Sequence, residues 1–100
     1  MIAHIVAWKL KDCDESGKKE EVGRKIKRML ENLKNSIPEI IKIECGLNIN
    51  KSDSAYDISL YSLFDSIEKL QIYQNHPQHR QVAEFISRVV ARRVVVDYQI

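Results

Sequence analysis

The chain is poor in the residues that build many recognisable functional devices. Its two cysteines, Cys13 and Cys45, are too few and too isolated for a disulfide framework or a thiolate metal site. Both read as free thiols in a reducing cytoplasm. The three glycines, Gly17, Gly23 and Gly46, make no phosphate-cradling loop, and there is no nucleophile elbow. No apolar run approaches the roughly 20 residues of a membrane span. The apolar N-terminus is interrupted within a few residues and has no small-residue cleavage site, so no signal peptide is expected. A formal net charge of +2, with both signs spread along the chain, demands neither nucleic acid nor an anionic membrane. At 100 residues one domain, 1–100, with one core is expected, and extra concave surface has to come from a partner.

What is present is a regular alternation of strand and helix patterns. Ile2 to Leu10 is rich in Ile, Val and Trp and apolar on both sides, a strand covered on both faces. From Ser16 to Ile37 the positions Val22, Ile26, Met29, Leu30, Leu33 and Ile37 recur at helical spacing. Ser16 is a candidate cap, and Pro38 bars continuation. The basic outer side of this helix reads as a solvated face. Glu39 to Ile49 alternates Ile41, Ile43, Cys45, Leu47 and Ile49 with polar residues, a half-buried strand at or near an edge. A third strand runs from Tyr56 to Phe64. A short helix from Ser66 to about Gln74 turns Ile67, Leu70 and Tyr73 inward. Pro77 breaks it, and a further helix from near Gln78 carries Val82, Phe85, Ile86 and Val89. The last strand is Arg93 to Ile100.

The order β-α-β-β-α-β, with the second helix broken, is the ferredoxin-like split βαβ arrangement, an α+β fold with a four-stranded antiparallel sheet. Its helices cover one side of the sheet, yet strands one, three and four are apolar on both sides. The bare face calls for a cover, and the economical one is a second copy of the chain packed sheet against sheet. RNA-recognition modules share this order, but Tyr56-Asp57-Ile58-Ser59-Leu60-Tyr61 lacks their aromatic and basic pattern.

The chain's three histidines supply its candidate chemistry. His4 lies in the first strand, and His76 and His79 flank Pro77. His79 falls in the first turn of a helix, where the macrodipole disfavours imidazolium and leaves a neutral base. Tyr73, six residues earlier, can offer its hydroxyl to a substrate oxygen. His4 can orient a water or polarise a carbonyl. The set suits proton abstraction beside a carbonyl in an apolar cavity. Each residue also has a structural reading. His76 fills a turn, His79 caps a helix, His4 is a satisfied core histidine, and Tyr73 is core with its hydroxyl at the rim. A three-histidine zinc site is disfavoured, because His76 and His79 straddle a proline and no carboxylate has ligand-like spacing.

His4-Ile5-Val6, Ile37-Pro38, Tyr56-Asp57, Phe64-Asp65-Ser66, Tyr73-x-x-His76-Pro77-x-His79 and Asp97-Tyr98 together resemble the stress-responsive dimeric α/β-barrel (Dabb) domain proteins, essentially end to end. The resemblance implies a homodimer whose two sheets close into a barrel. Some plant members are similar to polyketide cyclases, which close a linear polyketide by aldol chemistry without a cofactor. Carried over, that site has His79 as base, Tyr73 as hydrogen-bond donor and His4 as a supporting histidine. Leu30 and Ile58 stand where cyclases have a tyrosine and a histidine, so the cyclase substrate does not carry over.

The leading expectation is therefore a cytoplasmic homodimer that binds a small, largely apolar carbonyl compound, with cyclase- or lyase-like activity through His79. One alternative is a non-catalytic stress-related structural or assembly module. Its barrel interior would be filled by Trp8, Phe64, Ile58 and Tyr98, and a cavity of roughly 300 Å³ or more would count against it. A third reading, a monooxygenase or haem-degrading barrel enzyme, rests on fold analogy alone.

Overall fold

The computed structural model describes residues 1–12 and 18–100. Its elements run β1 (Ile2–Leu10), α1 (Lys19–Asn32), a 3-10 turn (Leu33–Asn35), β2 (Lys42–Leu47), β3 (Ile58–Phe64), α2 (Ile67–Asn75), α3 (Pro77–Val89) and β4 (Val90–Gln99). The sheet order is β2-β3-β1-β4, and every neighbouring pair is antiparallel. This is the expected α+β ferredoxin-like sheet, with β1 at its centre beside β3 and β4. Cys13 and Ser16 lie outside the described residues, and with them the expected Ser16 cap.

Alternation along β1 and β3 decides what the helices cover. Ile2, His4, Val6, Trp8 and Leu10 of β1 are buried, as are Ile58, Leu60, Ser62 and Phe64 of β3. Residues directly opposite in an antiparallel pair share a face, and His4 faces Ser62 while Trp8 faces Ile58. All of them lie on the helix-covered side, where the apolar ones pack with Val22, Ile26 and Leu30 of α1 and Val82, Ile86 and Val89 of α3. Trp8, Ile58 and Phe64 are thus core beneath the helices and not filling for a barrel interior. Tyr98, opposite Ala3, belongs to the other face. Where both sides of a strand are apolar, alternation alone does not say which one the helices take.

Several element ends differ from the sequence pattern. The stripe of α1 continues to Ile37, but the α-helix ends at Asn32 and tightens into the 3-10 turn. There Ser36 N and Ile37 N both donate to the Leu33 carbonyl, at 3.0 and 2.9 Å. Such tightening satisfies carbonyls at a helix end, and Pro38 keeps Ile37 from helical geometry. β2 is shorter than its alternation suggests. Cys45 is buried, but Ile41 and Leu47 are partly exposed and Ile49 is 93% exposed. β3 opens at Ile58, because Asp57 wraps onto β1, donating from its N–H to the Trp8 carbonyl and accepting from Leu10 N–H. Ile67 sits exposed at the start of α2, where Leu70 and Tyr73 carry the burial. β4 starts three residues earlier than Arg93, directly from the end of α3.

The two edges of the sheet are treated differently. At β2, Glu31 of α1 accepts from Cys45 N–H at 3.0 Å, and Lys27 donates to the Cys45 carbonyl at 2.6 Å and to Glu31 at 2.8 Å. These bonds satisfy the outward backbone groups at the middle of that edge, which would otherwise template another strand. Among the described residues β4 has no such cover, and it is exposed from Ala91 to Gln99. Val94, Val96 and Tyr98 extend the helix-free face, which Ile5, Tyr61 and Leu63 continue.

α2 is short and starts on a side-chain cap, the Ser66 hydroxyl accepting from Lys69 N–H. Removing that acceptor in Ser66→Ala should lower stability by about 1 kcal/mol. Urea denaturation would measure this, and an unchanged midpoint would show that the cap contributes nothing.

Candidate acid–base site

The break between α2 and α3 places the first part of the site. Pro77 occupies the first position of α3, where its missing N–H costs nothing. His76 is the N-cap, its ring nitrogen accepting from Gln78 N–H at 3.1 Å. This agrees with the turn-filling reading of His76, and the capping considered for His79 falls to it instead. The last carbonyls of α2 have lost their helical partners. His76 N–H takes that of Tyr73, and the Asn75 side-chain amide reaches back to the Gln71 carbonyl one turn earlier. His79 Nδ1 takes that of Gln74, at 3.1 Å. A carbonyl only accepts, so the hydrogen sits on Nδ1 and the neutral ring keeps its lone pair on Nε2.

β1 and β4 place the second part. His4, 2% exposed, lies directly opposite Asp97, and its Nδ1 donates to Asp97 Oδ1 at 2.5 Å. The carboxylate holds the ring orientation and directs its other nitrogen elsewhere, as in other oriented histidines. Ser62, fully buried on the other side of β1, donates to the His4 carbonyl at 3.1 Å.

Tyr73 stands between the two histidines. Its ring centroid is 4.5 Å from that of His79, 4.9 Å from Phe64 and 6.3 Å from His4, with an edge-on approach to His4. The residue is fully buried. Its hydroxyl is the one buried side-chain polar atom without a hydrogen-bond partner among the described residues. Native structures leave few such groups, and each needs an explanation.

His4, Tyr73 and His79 all line one cavity of about 160 Å³ beneath the helices. Its walls are mainly apolar, from Val6, Trp8, Leu60, Ile86 and Leu30. Leu30, in the place of a cyclase tyrosine, forms part of this wall, whereas Ile58 is buried outside the lining. The cavity is about half the roughly 300 Å³ at which drug-sized sites begin, and close to the about 150 Å³ that holds a benzene ring. Arg93 and Ser87 also line it. Arg93 and Asp97 were not among the candidates from sequence. Their signal was two charges at even spacing on one face of a valine-rich strand.

The environment sets protonation states suited to proton transfer. His79 is pushed below the ordinary imidazole value of 6.5, chiefly by burial. The Gln74 carbonyl opposes this shift, and His4, Arg93 and His76 add to it. Burial likewise raises the Tyr73 phenol far above its usual range, so it stays a donor. Burial pushes the Cys45 thiol up to about 12, which removes it as a nucleophile. Among the described residues no three His, Cys, Asp or Glu side chains gather as a metal ion would need.

A family model for the stress responsive A/B barrel domain (Dabb) matches residues 2–100. The chain belongs to the Dabb family. This Dabb chain is similar to a dimeric protein of unknown function with a ferredoxin-like fold from Bacteroides fragilis NCTC 9343, at 34% identity and a TM-score of 0.88, covering 99% of this chain and 95% of that one. It is similar also to a dimeric ferredoxin-like protein of unknown function from Thermobifida fusca, at 24% identity and a TM-score of 0.82, with 99% and 90% covered. A hydroxynitrile lyase from Passiflora edulis shares the fold at 19% identity and a TM-score of 0.82, with 99% and 92% covered. No curated protein matches the chain significantly.

The depressed basicity of His79 has a consequence for stability. The unfolded chain protonates this ring at a higher pH than the folded one, so stability is lost as pH falls below about 6.5. In His79→Gln this part of the acid loss should disappear. Urea denaturation of both proteins between pH 5 and 8 would measure it, and parallel stability profiles would contradict the burial of a neutral His79.

Proposed function

We propose that this Dabb domain is a homodimer whose cavity binds a small, largely apolar carbonyl compound and carries out cofactor-independent acid–base chemistry of the lyase or cyclase type. The observation that carries the reading is the Tyr73 hydroxyl, buried, held protonated and unpartnered at a cavity flanked by two oriented imidazoles. An unsatisfied buried hydroxyl costs about 1–3 kcal/mol, and a ligand oxygen that accepts from it removes that cost. His79 Nε2 takes a proton from the carbon beside the carbonyl. The Tyr73 hydroxyl donates to the carbonyl oxygen as negative charge develops there, in an apolar surrounding that strengthens the bond. The enolate then either attacks a second carbonyl or expels a group from the adjacent carbon. The protonated His79 gives its proton to the resulting alkoxide or leaving group, while His4, braced by Asp97, orients the substrate as a hydrogen-bond acceptor.

The size of the cavity narrows the substrate. A space that suits a single ring excludes a linear polyketide, and the apolar walls at Leu30 and Leu60 offer no second row of polar contacts. A hydroxynitrile lyase from Passiflora edulis is built on the same fold, and it is the size of this cavity that favours a compact substrate over polyketide closure. The dimer is supported by the uncovered β4 edge, the apolar helix-free face and the dimeric relatives from Bacteroides fragilis and Thermobifida fusca.

Two experiments test this reading. Tyr73→Phe should leave stability unchanged or raise it by about 1–2 kcal/mol, since it removes an unsatisfied buried hydroxyl, while it and His79→Ala both abolish binding or turnover of small aldehydes and ketones found by screening. If both variants bind and turn over every hit like the parent, the site is not catalytic. Light scattering should give twice the 11.7 kDa chain mass. Val96→Lys, at a site 58% exposed in the protomer, should shift the mass toward one chain. A parent that stays monomeric at high concentration would refute the dimer.

A further inference from the structure

Arg93 is the feature of the cavity that the proposed acid–base chemistry does not use. It lies on β4 directly opposite Trp8, so it shares the helix-covered face with His4 and Asp97. Of the cavity's lining residues among those described, it alone carries a permanent charge, and none is an aspartate or glutamate. The nearest carboxylate along its own strand face, Asp97, is occupied by His4. Among the described residues Arg93 makes no ion pair or side-chain hydrogen bond, although Lys27, Lys19 and Arg24 each find an acidic partner. It is exposed, whereas Tyr73 and His4 are buried, which sets it at the mouth with the His4 imidazole and the phenol further in.

We infer that the natural ligand is a small organic anion, a compact carbonyl compound bearing a carboxylate, whose charged end is held by the Arg93 guanidinium at the mouth while its apolar body enters the cavity. The inference rests on the reading of this cavity as the site and adds the ligand's charge to it. A guanidinium presents a planar fork that matches a carboxylate in two parallel hydrogen bonds. A cationic rim over low-dielectric walls also concentrates anions at the entrance. The alternative use of Arg93, as a structural partner for a neighbouring carboxylate, has no such partner among the described residues. The charge of Arg93 also reaches inward, since it disfavours protonation of His79 and favours ionisation of Tyr73. An anion seated on it offsets that field, so ligand binding and the protonation of His79 are coupled.

The test uses the full chain in its native assembly and two isosteric probes sized to the cavity, benzoate and benzamide, followed by NMR of the histidine imidazoles. Benzoate should bind about tenfold more tightly than benzamide, as a charge-assisted bidentate contact allows. In Arg93→Gln that preference should vanish with benzamide binding unchanged, and Arg93→Lys should retain part of it. Saturating benzoate should also raise the His79 titration midpoint in the parent but not in Arg93→Gln. Absence of benzoate binding, equal affinity for the two probes, or a preference that survives Arg93→Gln would each overturn the inference. These outcomes are separable from a failure of the acid–base reading. An inert but anion-selective cavity keeps the benzoate preference, and a catalytic site without anion recognition turns over neutral carbonyls without it.

Discussion

An imidazole placed in the middle of a sheet and covered by helices must have a partner for its ring N–H, and here the pairing of β1 with β4 provides it. His4 sits on the central strand, 2% exposed, and Asp97 is its cross-strand neighbour, with Nδ1 and Oδ1 2.5 Å apart. Leaving such a group unpaired is costly in a low-dielectric interior. The pair therefore ties the register of β4 to that of β1. A slip of one residue would send Asp97 to the helix-free face and bring an apolar neighbour against the imidazole. The same register brings Arg93 opposite Trp8 and so to the cavity. One cross-strand contact thus orients one histidine and fixes the position of the permanent charge that Arg93 brings to the cavity.

The other histidine is held by a defect in the helical layer. Pro77 separates α2 from α3 and leaves the terminal carbonyls of α2 in need of donors, of which His79 Nδ1 is one. The break thereby chooses the tautomer of the proposed base, and burial keeps it neutral. Tyr73, on the last turn of α2, fills the space between the two imidazoles and lines the mostly apolar cavity with them. Sheet register and helix break act on different parts of the chain, and they converge because α2 and α3 lie on the same side of the sheet as His4.

Much of this was legible in the sequence, for reasons that are local. Alternation exposed the strands, the spacing from Val22 to Leu33 exposed α1, and Pro77 between two apolar stripes exposed the broken helix. Tyr73, His4 and His79 stood out as chemistry-bearing groups, and the fold brings those three to one cavity. What stayed hidden depends on pairing between distant segments. Asp97 and Arg93 read as charges in an ordinary strand until β4 is laid beside β1. The helix-covered placement of Trp8, Ile58 and Phe64 was ambiguous because both sides of the strands are apolar. The sealing of β2 by Glu31 and Lys27 depends on how α1 lies across the edge, which spacing along α1 does not reveal. The ends of β2 and α1 were misplaced because edge exposure and the 3-10 turn cut short patterns that continue in one dimension.

The account turns on two imidazoles whose hydrogens are held on Nδ1 by a carboxylate and a helix-end carbonyl, which leaves both Nε2 atoms for chemistry in the cavity. Nitrogen-15 NMR of the histidine rings at pH 7.5 tests this directly, through the coupling of each ring nitrogen to its carbon-bound hydrogens. The account predicts the hydrogen on Nδ1 in both His4 and His79, with His79 neutral and its Nε2 unprotonated. A His79 that carries its hydrogen on Nε2, or that is still cationic at this pH, would contradict it.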